Sequence, residues 1–152
     1  HKEYRRQRQM CIRDMEKPDL TRAAKLVLEK GYSCALCSGQ NLYTSYRRGV
    51  IPLIHFLSED IYFKDAYAAD KVIGKASALL LVLAGVKSAY APVMSESGLY
   101  ILSYYGVLAS CDICVPAILN RAGTGPCPME EAMEGIKDPV RALGLLQRFI
   151  ES

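Results

Sequence analysis

The sequence predicts an α/β domain, a three-layer α/β/α sandwich, on three observations. An early pair of β-prone runs brackets a turn, as in a hairpin; later β-prone runs alternate with helical ones; and two of those later runs are reached by helical crossovers, which favour parallel pairing. At 152 residues the chain suits one domain with one core. With 51% hydrophobic and 23% charged residues it has the composition of a packed chain, because disorder goes with less apolar surface and more charge. Internal repeats and low-complexity segments, the marks of solenoids and linkers, do not occur.

Taken in order, residues 1–14 carry Lys2, Arg5, Arg6, Arg8 and Arg13 against Glu3 and Asp14, which accounts for the whole net charge of +3. The run RRQRQMCIRD resembles a translated sequencing adapter, so residues 1–14 are expected to be a non-native, disordered arm, with the natural start at Met15 and a single domain over residues 15–152. The remainder is neutral. Nothing basic is left to track phosphates, and nucleic acid is not an expected partner.

Asp19 suits an N-cap, and Leu20, Ala23, Ala24, Val27 and Leu28 follow at the spacing of one helix face, with Gly31 as the stop. Ser33 to Cys37 and Leu42 to Tyr46 flank Ser38-Gly39-Gln40-Asn41, whose residues permit reversal, giving the hairpin. Arg47-Arg48-Gly49 is a loop. Pro52 opens a short helix carrying Leu53, Phe56 and Leu57, and places His55 among apolar neighbours as a core histidine. From Ala68 to Ala84 the chain reads as one long helix, polar at its start and apolar all round from Ala76, hence buried on several sides. Gly85 closes it. Ser88 to Met94 is a strand, Ser95 and Glu96 open a helix through Tyr105, and Gly106 ends that one. Cys111 to Leu119 is a last extended run, limited by Pro116, which cannot donate to a central ladder. Pro128 to Glu134 and Pro139 to Ile150 are the closing helices. The longest apolar stretch, Ala76 to Val86, reaches about half of the ~20 residues needed to span a bilayer. Glu16 to Asp19 is acidic, unlike a secretory or transit signal, so a cytoplasmic protein with no membrane partner is expected.

Chemistry has few places to reside. Cys34-x-x-Cys37 and Cys111-x-x-Cys114 have zinc-ligand spacing, but residues three apart in a strand point to opposite faces, so buried core thiols are the expected state. Cys127 follows the tight loop Gly123-Thr124-Gly125-Pro126 and precedes a helix start, where unpaired amides stabilise a thiolate; Glu130 lies in that first turn. Asp70, Lys71, Gly74 and Lys75 form a second focus, with the two lysines one helical turn apart and Gly74 permitting close approach of a backbone or ligand. A phosphate loop is excluded, since Ala69 and Ala76 replace its glycine and its Ser/Thr. Asn120 and Arg121 follow the last extended run, outside the strand ends where α/β proteins bind ligands, and Ser95 and Glu96 would share that rim. A Ser-His-Asp triad has no candidate histidine.

The runs Ala69 to Ala76, Asn120-Arg121 and Cys127-Pro128-Met129-Glu130 resemble a small prokaryotic family of unknown function with a cytidine-deaminase-like fold, over nearly all of Leu20 to Ile150. The resemblance implies a mixed five-stranded sheet that opens with an antiparallel hairpin and has helices on both faces. Zinc deaminases carry His or Cys, then Ala, then Glu at one helix start and Pro-Cys-x-x-Cys at the next. Ala68 stands in place of the first ligand, Asp70 in place of the acid/base Glu, and Glu130 in place of the second cysteine after Pro126-Cys127, so hydrolytic deamination is not expected. Asp70 to Gly74 is also similar to a stretch of the formate dehydrogenase accessory sulfurtransferase. These likenesses imply a pocket for a nucleotide-like or other anionic small molecule near Lys71, Lys75 and Arg121, with Cys127 as a thiolate.

The expected protein is thus a small-molecule-binding domain with no cofactor. Cys127 and Asp70 are its catalytic candidates, and Lys71, Gly74, Lys75, Ser95, Asn120, Arg121 and Glu130 its ligand contacts. Two alternatives compete: a non-catalytic module, such as a homodimer joined through tyrosines among Tyr62, Tyr67, Tyr100, Tyr104 and Tyr105, and a zinc-binding protein using the paired cysteines.

Overall fold

A computed structural model describes residues 18–59 and 61–151. The arm expected over residues 1–14 lies outside them. Helix α1 (Pro18–Lys30) buries Leu20, Ala23, Ala24 and Val27, the stripe predicted from spacing. Asp19 is not its N-cap. The helix already begins at Pro18, whose fixed φ suits a first turn, and the Asp19 carboxylate instead accepts a hydrogen bond from Gly39 N at 2.9 Å, fastening the helix to the hairpin turn.

Strands β1 (Cys34–Ser38) and β2 (Asn41–Ser45) form the antiparallel hairpin, in register from Cys34↔Ser45 to Ser38↔Asn41. Helix α2 (Ile51–Ser58) has proline in its first turn and buries Pro52, Leu53 and Phe56. His55 faces the other way and is exposed, with Arg47 Nη1 3.0 Å from its Nε2, which corrects the expectation of a core histidine.

The long helix expected from Ala68 to Ala84 is three elements: β3 (Tyr67–Asp70), β4 (Val72–Ile73) and helix α3 (Lys75–Leu83). All four residues of β3 are buried. A strand buried on both faces shows no alternation, so an alanine-rich one is indistinguishable from helix by pattern, and sheet pairing overrides alanine's helix propensity. Lys71 and Lys75 are therefore not a helical pair; Lys71 separates two strands and Lys75 begins α3. Ala76 to Leu81 are buried without a break, as expected for the apolar part.

Strand β3 pairs antiparallel with β1 and parallel with β5 (Ser88–Ser95), and β4 also pairs parallel with β5. Both keep one offset, Ala69↔Tyr90 and Val72↔Val93, so β3 and β4 are two halves of one row. Their break at Lys71 falls opposite Pro92, where the ladder would need an N–H that proline lacks. Among the described residues the mixed sheet accordingly has six strands, one more than expected, in five rows: β2, β1, β3 with β4, β5 and β6 (Leu108–Val115). Strand β6 starts and ends earlier than the expected Cys111 to Leu119, and Pro116 lies just beyond it.

Helix α4 (Glu96–Tyr104) follows β5 directly, with Ser95 as N-cap accepting from Gly98 N at 3.0 Å. Helices α5 (Pro128–Ala132) and α6 (Pro139–Glu151) complete the described chain. One face of the sheet is covered by α1 through Ala35, Cys37, Tyr67, Ala69 and Tyr90. The opposite face holds the larger core, where Leu36, Ala68 and Ala89 meet Phe56, Leu79, Leu80, Ile101 and Leu146 from the other helices. Helices on both faces make the α/β/α sandwich. No helix among the described residues is long and apolar enough to cross a membrane.

Candidate functional site

Asp70 ends β3 where the row breaks, beside Cys34 of β1. It is 6% exposed. Its Oδ1 accepts from Lys71 N at 2.8 Å, while its buried Oδ2 has no hydrogen-bond partner among the described residues. Burial pushes this carboxyl up to about 8, outweighing the backbone N–H groups of Lys71 and Val72 and the Lys71 charge, which pull it down. Burial, and secondarily Asp70, raises the Cys34 thiol well above its ordinary value. Burial thus favours the uncharged acid at Asp70, with one oxygen left without a partner among the described residues.

That carboxyl borders a cleft of about 630 Å³, lined also by Ser33, Tyr46, Arg48, Gly49, Lys71, Val72 and Arg121. Three cations and one acid line it. The side chains of Arg48 and Arg121 are exposed. Gly49, at φ +61°, takes the left-handed conformation that lets the loop turn sharply after Arg48. Tyr46 brings a ring to the mouth, stacked on Tyr32 at 4.3 Å between centroids.

A second cavity, about 550 Å³, adjoins the first and shares Arg48, Gly49 and Arg121 with it. Its other walls are Ile51, Leu119, Asn120, Cys127, Pro128, Met129 and Phe149. The loop that carries Arg121 is closed by the Leu119↔Pro126 bridge and by Asn120, whose Oδ1 accepts from Thr124 N at 3.0 Å.

The expected site residues therefore separate. Asp70, Lys71 and Arg121 meet in the first cleft, and Asn120, Arg121 and Cys127 in the second. Glu130, Gly74 and Lys75 meet elsewhere: the Glu130 carboxylate accepts from Lys75 N at 2.6 Å and Ala76 N at 3.0 Å, capping α3 from 55 residues away, while Lys75 Nζ donates to Met133 O at 2.8 Å. Gly74 provides the space, since a Cβ there would overlap that carboxylate. Gly98 packs on the same spot, where a Cβ would come within 2.9 Å of Ile73 O. Ser95, fully buried, is engaged in capping α4. Cys127 is the N-cap of a helix of only five residues, and its side chain makes no capping hydrogen bond.

Ser33, Tyr46 and Arg48 were not anticipated. Arg48 was visible in the sequence as part of an arginine pair before a turn glycine, but only the fold brings that loop to the end of β3. Cys34 and Cys37 point to opposite faces of β1, into different cores, as the strand geometry predicts. The described residues hold no group of three His, Cys, Asp or Glu side chains that could bind a metal, so the donor set does not fit a deaminase-type zinc. Nor does the alignment of Ala68 and Asp70 with a helix start survive, because both lie in β3.

A mixed sheet with an antiparallel hairpin at one edge, parallel crossovers and helices on both faces places the chain among α/β/α sandwich domains. Residues 22–150 match the family described as TM1506, domain of unknown function (DUF1893), and the chain belongs to that family. The crystal structure of a DUF1893 family protein (TM1506) from Thermotoga maritima is similar with a TM-score of 0.79 at 26% identity, covering 87% of this chain and 90% of that one. No curated protein matches.

Proposed function

We propose that the protein binds a small anionic molecule in the cleft beside Asp70, with Arg48, Lys71 and Arg121 as the cationic rim and Asp70 as proton donor or acceptor. One observation carries this reading: a carboxyl oxygen buried without a partner among the described residues, bordering a cavity with three cations around it. Burying such a group unpaired costs stability, and a ligand that completes its hydrogen bonding offsets that cost. The exposed Tyr46 ring in the same cleft favours a ligand with a flat portion, such as a nucleotide-like one. A deaminase-like architecture is supported by the strand order and the opening hairpin; zinc-dependent deamination is not part of the proposal. In this reading Cys127, which lines the adjoining cavity, is the candidate thiol for any thiolate-dependent step.

Titration with inorganic phosphate, followed by amide NMR shifts, tests the site. Shifts at Lys71 and Arg121 are expected, with affinity falling about tenfold in Arg48→Ala and again in Arg121→Ala. Shifts that ignore both substitutions remove the cleft from consideration. Once a substrate is in hand, Asp70→Asn should keep binding and lose turnover, and Cys127→Ser should leave binding intact.

A second reading is self-association through α4, favoured by exposed Tyr100, Tyr104 and Tyr105, whose rings cluster at 6.0 and 4.9 Å between centroids. Light scattering over a concentration series should then show a dimer that Tyr100→Ser with Tyr104→Ser disperses. A monomer at every concentration rules it out.

A further inference from the structure

We propose that the groove formed by Ile51, Leu119, Met129 and Phe149 is a subsite for an apolar substituent of the same ligand, which makes that ligand an amphipathic anion. This rests on the anion site proposed above. The two cavities share Arg48, Gly49 and Arg121, so a charge held between the arginines stands at their junction. On one side lies the Asp70 carboxyl. On the other the walls are mainly side chains with no polar atom to offer. Leu119 and Phe149 are 57% and 40% exposed, and they come from a loop and a terminal helix that the fold brings to one groove. The Asn120 amide, the polar group nearest in sequence to Leu119, is turned back onto its own loop, where Nδ2 donates to Thr124 Oγ1 at 3.2 Å and Oδ1 accepts from Thr124 N. At about 550 Å³ the groove has room for one ring or a short chain.

Matched probes read the subsite directly. Inorganic phosphate paired with phenyl phosphate, and acetate paired with 3-phenylpropionate, would be titrated into the full chain and followed by amide NMR. The ring should tighten binding about tenfold within whichever pair binds, and the better pair identifies the head group. Leu119→Asn with Phe149→Asn should reduce that ratio to about twofold, with the affinity for the ring-free probe unchanged. Leu119→Asn alone carries the test if the double variant does not fold, because that side chain is more than half exposed. Leu119→Phe should hold or raise the ratio. Equal affinity within each pair overturns the subsite and leaves the anion site standing. A ratio indifferent to the substitutions overturns its assignment to this groove, and silence with all four probes overturns both proposals.

Discussion

Replacing Asp70 by Asn is expected to stabilise the protein near neutral pH, by about 4 kcal/mol, and to abolish a pH dependence that the native chain carries. In the unfolded chain an aspartate ionises near ~3.9; in the fold, burial pushes this one up to about 8. Between those values the folded state holds a proton that the unfolded state has released. Stability therefore falls as pH rises through that window, by up to ~1.4 kcal/mol per unit. The contribution is fully present below about pH 4 and is lost by about pH 8, where both states are ionised. Asn has nearly the same shape and never ionises, so it escapes the fall. Urea unfolding between about pH 5 and about pH 8 should show the gap between variant and native chain widening with pH. A constant gap, or a destabilised Asp70→Asn variant, would mean that the carboxylate is better solvated than its burial indicates. A residue that costs stability in the interior while bordering a cationic cleft is the pattern of a group kept for a ligand.

The second large effect concerns Glu130, whose removal as Glu130→Ala should cost about 3 kcal/mol. Its two oxygens satisfy the first amides of α3, whose N-cap, Gly74, has no side chain to do so. Glu130→Gln should be nearly as costly, because an amide offers one acceptor where two donors wait. Gly74→Ala should act through the same contact, since its methyl would displace the carboxylate. The two lesions should not add. In a double-mutant cycle by chemical unfolding, Gly74→Ala should be nearly harmless in the Glu130→Ala background, and full additivity would show that the cap is not what the glycine protects.

These residues also show how far the sequence could be read. The hairpin, Ser88 to Met94 as a strand and the crossover helices follow from turn residues and periodicity, which are local signals. Ala68 to Asp70 reads as helix in the sequence because a strand buried on both faces leaves no alternation to detect, and the break opposite Pro92 is a property of the neighbouring strand. Around the site, Asp70, Lys71 and Arg121 are recognisable as charged residues at the ends of regular elements. Ser33, Tyr46 and Arg48 join them only through the register of β1 on β3. Glu130 and Gly74 are candidates in the sequence in separate stretches, and no spacing rule connects a carboxylate to a helix start 55 residues earlier.

The loop that carries Arg121 is fastened at its base by the Leu119↔Pro126 bridge, and Glu130 anchors the following turn to the core. Its tip, residues 121–125, belongs to no strand or helix. Within it Arg121 lines both cavities and Thr124 holds the Asn120 amide, so changes at Ala122 that keep those two reshape the rim outside the strands and helices. The rim of the proposed anion site can in this way vary by single substitutions in a segment that carries no strand or helix.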